Sequence, residues 1–252
     1  MKKKLKTVAI IPARSGSKRI PNKNIALLEK HPMLAYTINV AIKSGIFDEI
    51  ICSTDSIQYA KIAEYYGAKV PFLRSKHISG DSSPDIEWVT ETLNQLEKNN
   101  FQFDIFSILR PTSPFRTVET IQKAYKLFIS TQNAHSLRAV EKCTQHPGKM
   151  WKINRKFMTP LMLKSLNGVP WHSNQYKALP EFYVQNASLE IAWVDVLKKQ
   201  KSISGRNIIP FISTGYEGFD INEPWDLELA RNLVQEDSSL LLEIKKSEYK
   251  II

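Results

Sequence analysis

The chain lacks the features of a disulfide-stabilised or membrane-spanning protein. Its 252 residues include two cysteines, too few for a disulfide framework or a paired zinc spacing. No apolar run approaches the ~18 residues of a membrane helix. The run that follows the basic N-terminus, Val8 to Ile11, is too short for a signal peptide. With 42% hydrophobic and 24% charged residues, the composition is that of a globular protein with a core. We therefore expect a folded cytoplasmic protein with no membrane partner.

Acidic residues are fewer than basic ones, which gives a formal net charge of +10. Such a balance suits nucleic acid, an anionic membrane surface or small acidic substrates. The lysines are spread along the chain, with no Arg-rich arm and no basic motif interleaved with aromatic residues. A solvated basic surface therefore explains most of the excess, and no nucleic-acid partner is predicted.

Residues 7–140 alternate short apolar runs with helical patterns. Strands are predicted at residues 7–11, 48–53, 68–73, 103–109 and 134–140. Helices are predicted from Pro32 to Gly45, over 57–66, from a Ser83 cap, and from a Thr117 cap. This alternation predicts an α/β fold: a Rossmann-like, mostly parallel sheet with helices on both faces.

The alternation stops after residue 141. Prolines at 147, 160, 170 and 180 and glycines at 148 and 168 indicate hairpins and loops. Strands at 187–194 and 207–212 and a last helix over 225–246 follow. The sequence therefore predicts a nucleotide-binding domain from residues 1–141 and 186–252, with a β-rich arm inserted at 142–185.

Four polar motifs are predicted at strand ends: "PARSGSKRIPNKN" from Pro12, "STD" from Ser53, "RPTSPFR" from Arg110 and "DINEPWD" from Asp220. Ligands bind beyond the carboxyl ends of strands in open parallel sheets. The four motifs together therefore predict one site at that edge of the sheet.

The first motif has the chemistry of a phosphate-binding loop. Ser15, Gly16 and Ser17 can aim backbone N–H groups at an anion, and Gly16 permits close approach and unusual dihedral angles. Arg14, Lys18, Arg19 and Lys23 add positive charge. Neither the P-loop spacing nor G-x-G-x-x-G is present, so a dinucleotide cofactor is not expected.

The motifs resemble those of the acylneuraminate cytidylyltransferases, the CMP-sialic acid synthetase family. "IIPARSGSKRIPNKN" resembles its signature and "ILRPTSPFR" its second motif, while "HPGKMWKI", "YVQNASLEI" and "FDINEPWD" resemble later ones. The related enzymes for octulosonic acids normally lack the Lys23-Asn24 ending and the "PTSP" segment. The resemblance implies a nucleotide-diphospho-sugar transferase type of fold.

The resemblance also implies a reaction, in which a hydroxyl of a nine-carbon 2-keto sugar acid attacks the α-phosphate of CTP and pyrophosphate leaves. It implies Arg14, Lys23 and Asp220 as catalytic residues. Turn formation is an equal alternative for Ser113. The implied nucleotide-binding residues are Ala13, Arg14, Ser15, Gly16, Ser17, Lys18, Asn24, Arg74, Pro111, Thr112 and Ser113.

A magnesium ion is implied at Asp220, since Mg²⁺ prefers carboxylates and substrate phosphates. The family typically has Asp-x-Asp here, whereas this chain has Asp220-Ile221-Asn222. Asn222 can still ligate through its carbonyl oxygen, and the number of metal ions stays open. Asp226 is interpreted as a cap or first-turn acid of the last helix.

Departures from the family cluster on the sugar side. Arg110 replaces a usual glutamine and Ala187 a glycine, and Lys177 or Gln175 stands where an arginine is frequent. These changes favour a legionaminate-like or pseudaminate-like acid. The implied sugar-binding residues are Arg110, Arg116, Lys149, Lys177, Tyr183, Gln185 and Asn186.

The resemblance implies a homodimer that pairs through the inserted arm. Two alternatives stay open: a cytidylyltransferase for an octulosonic or amino-octulosonic acid, and a nucleotide-binding protein without catalytic activity. Lone histidines show no ligand spacing and none is assigned to catalysis.

Overall fold

The computed structural model describes residues 4–80 and 82–250, which form twelve strands and six α-helices, besides short 3-10 turns, in these ranges. The strands are β1 (Thr7–Pro12), β2 (Leu27–Leu28), β3 (His31–Pro32), β4 (Glu49–Ser53), β5 (Ile105–Ile108), β6 (Ser136–Lys142), β7 (Trp151–Asn154), β8 (Phe157–Pro160), β9 (Ser165–Leu166), β10 (Val169–Pro170), β11 (Tyr183–Trp193) and β12 (Ile208–Ile212). The helices are α1 (Met33–Ser44), α2 (Ile57–Tyr66), α3 (Asp85–Lys98), α4 (Val118–Ser130), α5 (Val194–Gln200) and α6 (Pro224–Glu236).

Six strands form the central sheet in the order β12-β6-β11-β5-β1-β4. β1 lies between β4 and β5 and is parallel to both, with Ile10 opposite Ile51 and Ile108. β11 is antiparallel to β5. The parallel strands β4, β1 and β5 therefore end at one edge of the sheet, where their following loops meet.

Alternate residues of β1 face two hydrophobic layers because successive strand side chains point to opposite faces. Ala9 and Ile11 pack in the layer that includes α1, α2 and α4, whereas Val8 and Ile10 pack in the layer that includes α3 and α5. Each fully buried valine or isoleucine side chain stabilises the fold by about 1.5–3 kcal/mol. The predicted α/β fold with helices on both faces is confirmed.

Local capping residues explain why several helices begin or end where the sequence predicted. Gly45 and Gly67 end α1 and α2 in the left-handed region, with φ of 66° and 105°. Thr117 caps α4 by accepting a hydrogen bond from the Thr120 amide. These ends were predictable because a nearby residue fixes each of them.

Other predicted elements were wrong. Residues 68–73 form no strand, and the described pairing there is one isolated bridge between Ile51 and Lys69. Pro84, not Ser83, is the N-cap of α3. α5 was not predicted as a helix.

The last helix was predicted too long. α6 ends at Glu236, ten residues before the predicted end at 246. The side chain of Asp237 accepts from the Ser239 amide and hydroxyl, so it offers the backbone a local alternative to the helix. At the start, Glu223 and Asp226 form a capping box, which confirms the interpretation of Asp226 as a first-turn acid.

The chain divides into two compact units: Met1–Ala139 with Asn186–Ile252, and Val140–Gln185. The second unit contains two antiparallel hairpins, β7 with β8 and β9 with β10. Its large apolar side chains are unusually exposed: Ile153 by 75%, Phe157 by 81% and Leu163 by 82%. Among the described residues, no helix is long and apolar enough to cross a membrane.

Candidate active site

A cavity of about 360 Å³ opens in the first unit, where the loops after β1 and β5 meet the segment before α6. Ten residues that the resemblance implied as site residues line it: Arg14, Ser17, Lys23, Asn24, Arg74, Arg110, Pro111, Thr112, Asp220 and Asn222. Arg14, Ser17 and Lys23 also line a neighbouring hollow of about 280 Å³, together with Lys18 and Arg19. Three of the four motifs therefore contribute side chains to the cavity.

The fourth motif, "STD", supports the loop after β1 rather than lining the cavity. The Asp55 carboxylate accepts hydrogen bonds from the Ser15 amide at 2.8 Å and the Ser15 hydroxyl at 3.0 Å. The Ser53 carbonyl accepts from the amide of Ala13, which is fully buried. Ser15 and Ala13 thus fix the loop, and neither lines the cavity.

Two further residues shape this loop. The Asn24 side-chain amide donates to the Arg14 carbonyl at 3.0 Å and holds the two ends of the loop together. Gly16 does not adopt a positive φ, contrary to the expected unusual dihedral angle. A Cβ added at Gly16 would meet nothing within 4 Å, so the space beside its backbone is open. That space leaves room for a ligand to approach the backbone closely.

Lys23 connects the loop to the segment before α6. Its ammonium donates to the Ile221 carbonyl at 3.0 Å and to the Asn222 side-chain oxygen at 3.3 Å. Burial lowers the pKa of Lys23; Asp220 opposes this effect, while Arg19 and Arg14 add to it. Both acceptors of Lys23 are neutral, so the ammonium keeps its attraction for an anion in the cavity.

Asp220 has a carboxylate oxygen suited to a cation. Its Oδ2 accepts from the side-chain Nδ2 of Asn222 at 2.5 Å, whereas its Oδ1 is buried and has no hydrogen-bond partner among the described residues. A buried carboxylate oxygen without a partner is costly unless a ligand satisfies it. Within the described ranges, no three His, Cys, Asp or Glu residues form a metal-binding group. The residues therefore fit a Mg²⁺ site in which substrate phosphates and water would supply most of the ligands.

Arg74 forms part of the wall near the end of β4. Its guanidinium donates to the Ser53 hydroxyl at 3.0 Å and to the Ser53 carbonyl at 2.9 Å, and it lies 4.8 Å from the centre of the Trp88 ring. Burial lowers its pKa to about 10, so it stays cationic at neutral pH. Sequence reasoning missed Trp88, because an apolar residue on a helix is ordinarily read as core.

The loop after β5 is hydrogen-bonded to the segment that contains Asp220, the candidate metal ligand. The Thr112 carbonyl accepts from the Ile221 amide at 2.8 Å, which places Pro111 and Thr112 beside Asp220. Ser113 does not line the cavity; its hydroxyl is fully buried and has no hydrogen-bond partner in the described part of the chain.

Arg116 and Asn186 lie behind the cavity wall. Arg116 is 2% exposed and donates to the carbonyls of Ser188 and Arg110, at 2.5 and 3.1 Å. Burial lowers its pKa to about 9, with Asp220 opposing the change. Asn186 bonds the Ser213 hydroxyl and the Ser188 amide. Both residues were predicted to bind the sugar, but in the structure their side chains form hydrogen bonds within the protein.

The other four predicted sugar-binding residues belong to the second unit. The Lys149 ammonium donates to the carbonyls of His172 and Asn174, at 2.8 and 2.6 Å. Tyr183 donates to Glu181 at 3.2 Å, and Lys177 and Gln185 are exposed. Within its own unit, Lys149 is therefore held by neutral oxygens, as Lys23 is in the first unit.

Comparison with known proteins identifies the family. A family model described as cytidylyltransferase matches residues 8–189. The CMP-N,N'-diacetyllegionaminic acid synthase of Legionella pneumophila is 33% identical over 241 residues, covering 94% of this chain and 100% of that protein. The N-acylneuraminate cytidylyltransferase of Escherichia coli is 32% identical over 91% of this chain, which spans 52% of that longer protein.

Solved structures agree on the fold. The structure of a CMP:2-keto-3-deoxy-manno-octonic acid synthetase complexed with CTP superposes with a TM-score of 0.69, at 16% identity, over 92% of this chain and 99% of that one. The predicted resemblance to the acylneuraminate cytidylyltransferases is confirmed. The chain belongs to the cytidylyltransferase family of nucleotidyltransferases.

Proposed function

We propose that this chain transfers CMP from CTP to the anomeric hydroxyl of a nonulosonic acid, a nine-carbon 2-keto sugar acid, and releases pyrophosphate. One observation carries the proposal: Arg14, Ser17 and Lys23 line the same cavity as Asp220, so a cationic loop and a carboxylate face one space. That pairing suits a nucleoside triphosphate and its divalent ion.

The residues of the loop bind and orient the triphosphate. Arg14 and Ser17 offer donors to phosphate oxygens, and Lys18 lines the adjoining hollow, which can hold the outer phosphates. Lys23 donates to oxygens of the α-phosphate as negative charge shifts toward the leaving pyrophosphate. Asp220, with Asn222 beside it, would hold Mg²⁺, which neutralises phosphate charge when bound. Catalysis then rests on positioning and charge, with no covalent enzyme intermediate.

The acceptor is proposed to be legionaminate-like. The Legionella pneumophila relative matches along its whole length and is named for N,N'-diacetyllegionaminic acid. The position of Arg110, where the family usually has glutamine, lies on the cavity wall. This difference supports an acceptor other than plain N-acetylneuraminate.

Pyrophosphate release with purified protein, Mg²⁺ and CTP tests the proposal. The panel of acceptors contains a legionaminate, a pseudaminate, N-acetylneuraminate and an octulosonic acid, with UTP as the matched nucleotide control. We expect release with CTP and a nonulosonic acid, highest with the legionaminate, and none after chelation of the metal. Release with the octulosonic acid alone would replace the proposed acceptor, and no release with any acid would refute the transfer.

A homodimer is proposed through the second unit. Ile153, Phe157 and Leu163 are more than 70% exposed there, and solvent-exposed apolar side chains of this size mark an interaction surface. A second copy of this chain is the proposed occupant. Sedimentation at micromolar concentration should give a dimer, and Phe157→Glu should shift it toward monomer more than the matched change Phe101→Glu in the first unit. A monomeric wild-type protein would contradict the proposal.

A further inference from the structure

Four charged side chains form one network, Asp85, Arg110, Arg138 and Glu190, of which Asp85 and Arg110 line the cavity. The Arg110 Nη2 donates to Asp85 at 2.5 Å and to Glu190 at 3.0 Å. Arg138 forms a second, short ion pair with Glu190. Asp85 also accepts from the indole nitrogen of Trp88 at 2.8 Å. The network is anchored on α3, β6, β11 and the loop after β5.

The network balances its own charge, since it contains two arginines and two carboxylates. Glu190 is only 6% exposed at its side chain, so water screens its pairs weakly. Burial disfavours the charged form of Arg110, but Glu190 and Asp85 outweigh that effect and raise its pKa. Arg110 therefore stays cationic while two carboxylates in direct contact compensate its charge.

Although its charge is compensated, the Arg110 side chain still has hydrogen-bond donors without a partner among the described residues. Both contacts of Arg110 use Nη2, and its Nε and Nη1 form no hydrogen bond to the described residues. Arg110 is 24% exposed at its side chain and lines the cavity together with Asp85. An arginine carries five N–H donors in a fixed plane, so part of this donor set is available to a molecule in the cavity.

We propose that Asp85 and Glu190 hold Arg110 as a specificity-determining donor for an uncharged oxygen of the sugar acid, a hydroxyl or an acyl carbonyl, and not as the cation for its carboxylate. This inference rests on the proposed transfer to a nonulosonic acid. A third carboxylate at Arg110, that of the sugar acid, would compete with Asp85 and Glu190 and add like charge beside them. A neutral oxygen accepts the N–H donors without disturbing either ion pair.

The test is a matched pair of double variants, Asp85→Asn with Arg110→Gln and Asp85→Asn with Arg110→Met. Both remove one positive and one negative charge and leave Glu190 paired with Arg138. They differ in that glutamine keeps an amide donor and methionine has none. kcat and KM are measured separately for the sugar acid and for CTP, and thermal unfolding checks that both variants fold.

We expect kcat/KM for the sugar acid to be at least about tenfold higher in the glutamine variant than in the methionine variant. The difference should lie mainly in KM for the sugar acid. KM for CTP should agree between the two variants within about twofold. Two acceptors identify the oxygen. A difference seen with an N-acylated nonulosonate but not with an octulosonate lacking acyl groups assigns the acyl carbonyl, and a difference with both assigns a hydroxyl.

Equal kcat/KM in the two variants, or a difference confined to CTP, would overturn the inference. Should either double variant fail to fold, the single variants Arg110→Gln and Arg110→Met are compared in the same way. Wild-type protein that transfers to no sugar acid refutes the proposed function instead, so the two failures are distinguishable.

Discussion

Lys23 and Arg110 are two cations on the wall of one cavity with opposite surroundings. Lys23 donates to neutral oxygens of Ile221 and Asn222, whereas Arg110 contacts the carboxylates of Asp85 and Glu190. A cation held by neutral acceptors retains its attraction for an anion, and a cation between carboxylates largely loses it. A positive charge in a cavity therefore does not by itself identify an anion-binding residue.

Removing the ammonium of Lys23 should have the largest effect on activity. We expect Lys23→Met to lower kcat/KM for CTP by about 10²–10³-fold, the scale for losing one preorganised donor to transition-state charge. The matched control is Lys30→Met, since Lys30 is an exposed lysine seven positions along the chain. Equal activity of the two variants would show that Lys23 does not contact the triphosphate.

The second prediction concerns Asp220, the carboxylate that lines the same cavity as Lys23. Asp220→Asn should lower kcat by about 100-fold and raise the Mg²⁺ concentration needed for half-maximal rate, because a bound metal supplies several kcal/mol of charge stabilisation. Asp195→Asn is the control, as Asp195 is exposed on α5 and paired with Lys199. An unchanged Mg²⁺ dependence would remove Asp220 as the metal ligand.

Arg19 is a second cation of the cavity whose charge a carboxylate compensates. It lines the cavity but contacts the Glu223 carboxylate at 2.5 Å near the surface. Like Arg110, it has a compensated charge, and exposed pairs contribute little. We expect Arg19→Met to change kcat/KM for CTP by less than about fivefold. A loss as large as that of Lys23→Met would contradict the distinction between the two kinds of cation.

Much of the fold follows from local sequence signals. The bounds of α2 were predicted correctly, since the residues directly before and after it, Ser56 and Gly67, cap its two ends. β1 was predictable because it is a branched apolar run buried on both faces. The end of α6 was not, because the apolar residues Leu240 to Leu242 continue a helical pattern that Asp237 interrupts.

The site was predictable only where its motifs are continuous. The loop after β1 and the segment from Asp220 are short stretches of polar residues, so the sequence indicates them directly. The network of Arg110 joins residues up to 105 positions apart along the chain, from Asp85 to Glu190, and no local pattern signals such pairing. The sequence also did not indicate that Arg116 lies buried against backbone carbonyls.

A crystal structure with CTP and Mg²⁺ would show which cations of the cavity contact the triphosphate. We expect triphosphate oxygens within hydrogen-bond distance of Arg14, Ser17 and Lys23, the metal on Asp220, and Arg110 still paired with Asp85 and Glu190. A triphosphate bound away from Lys23, or one that draws Arg110 from its carboxylates, would contradict this expectation.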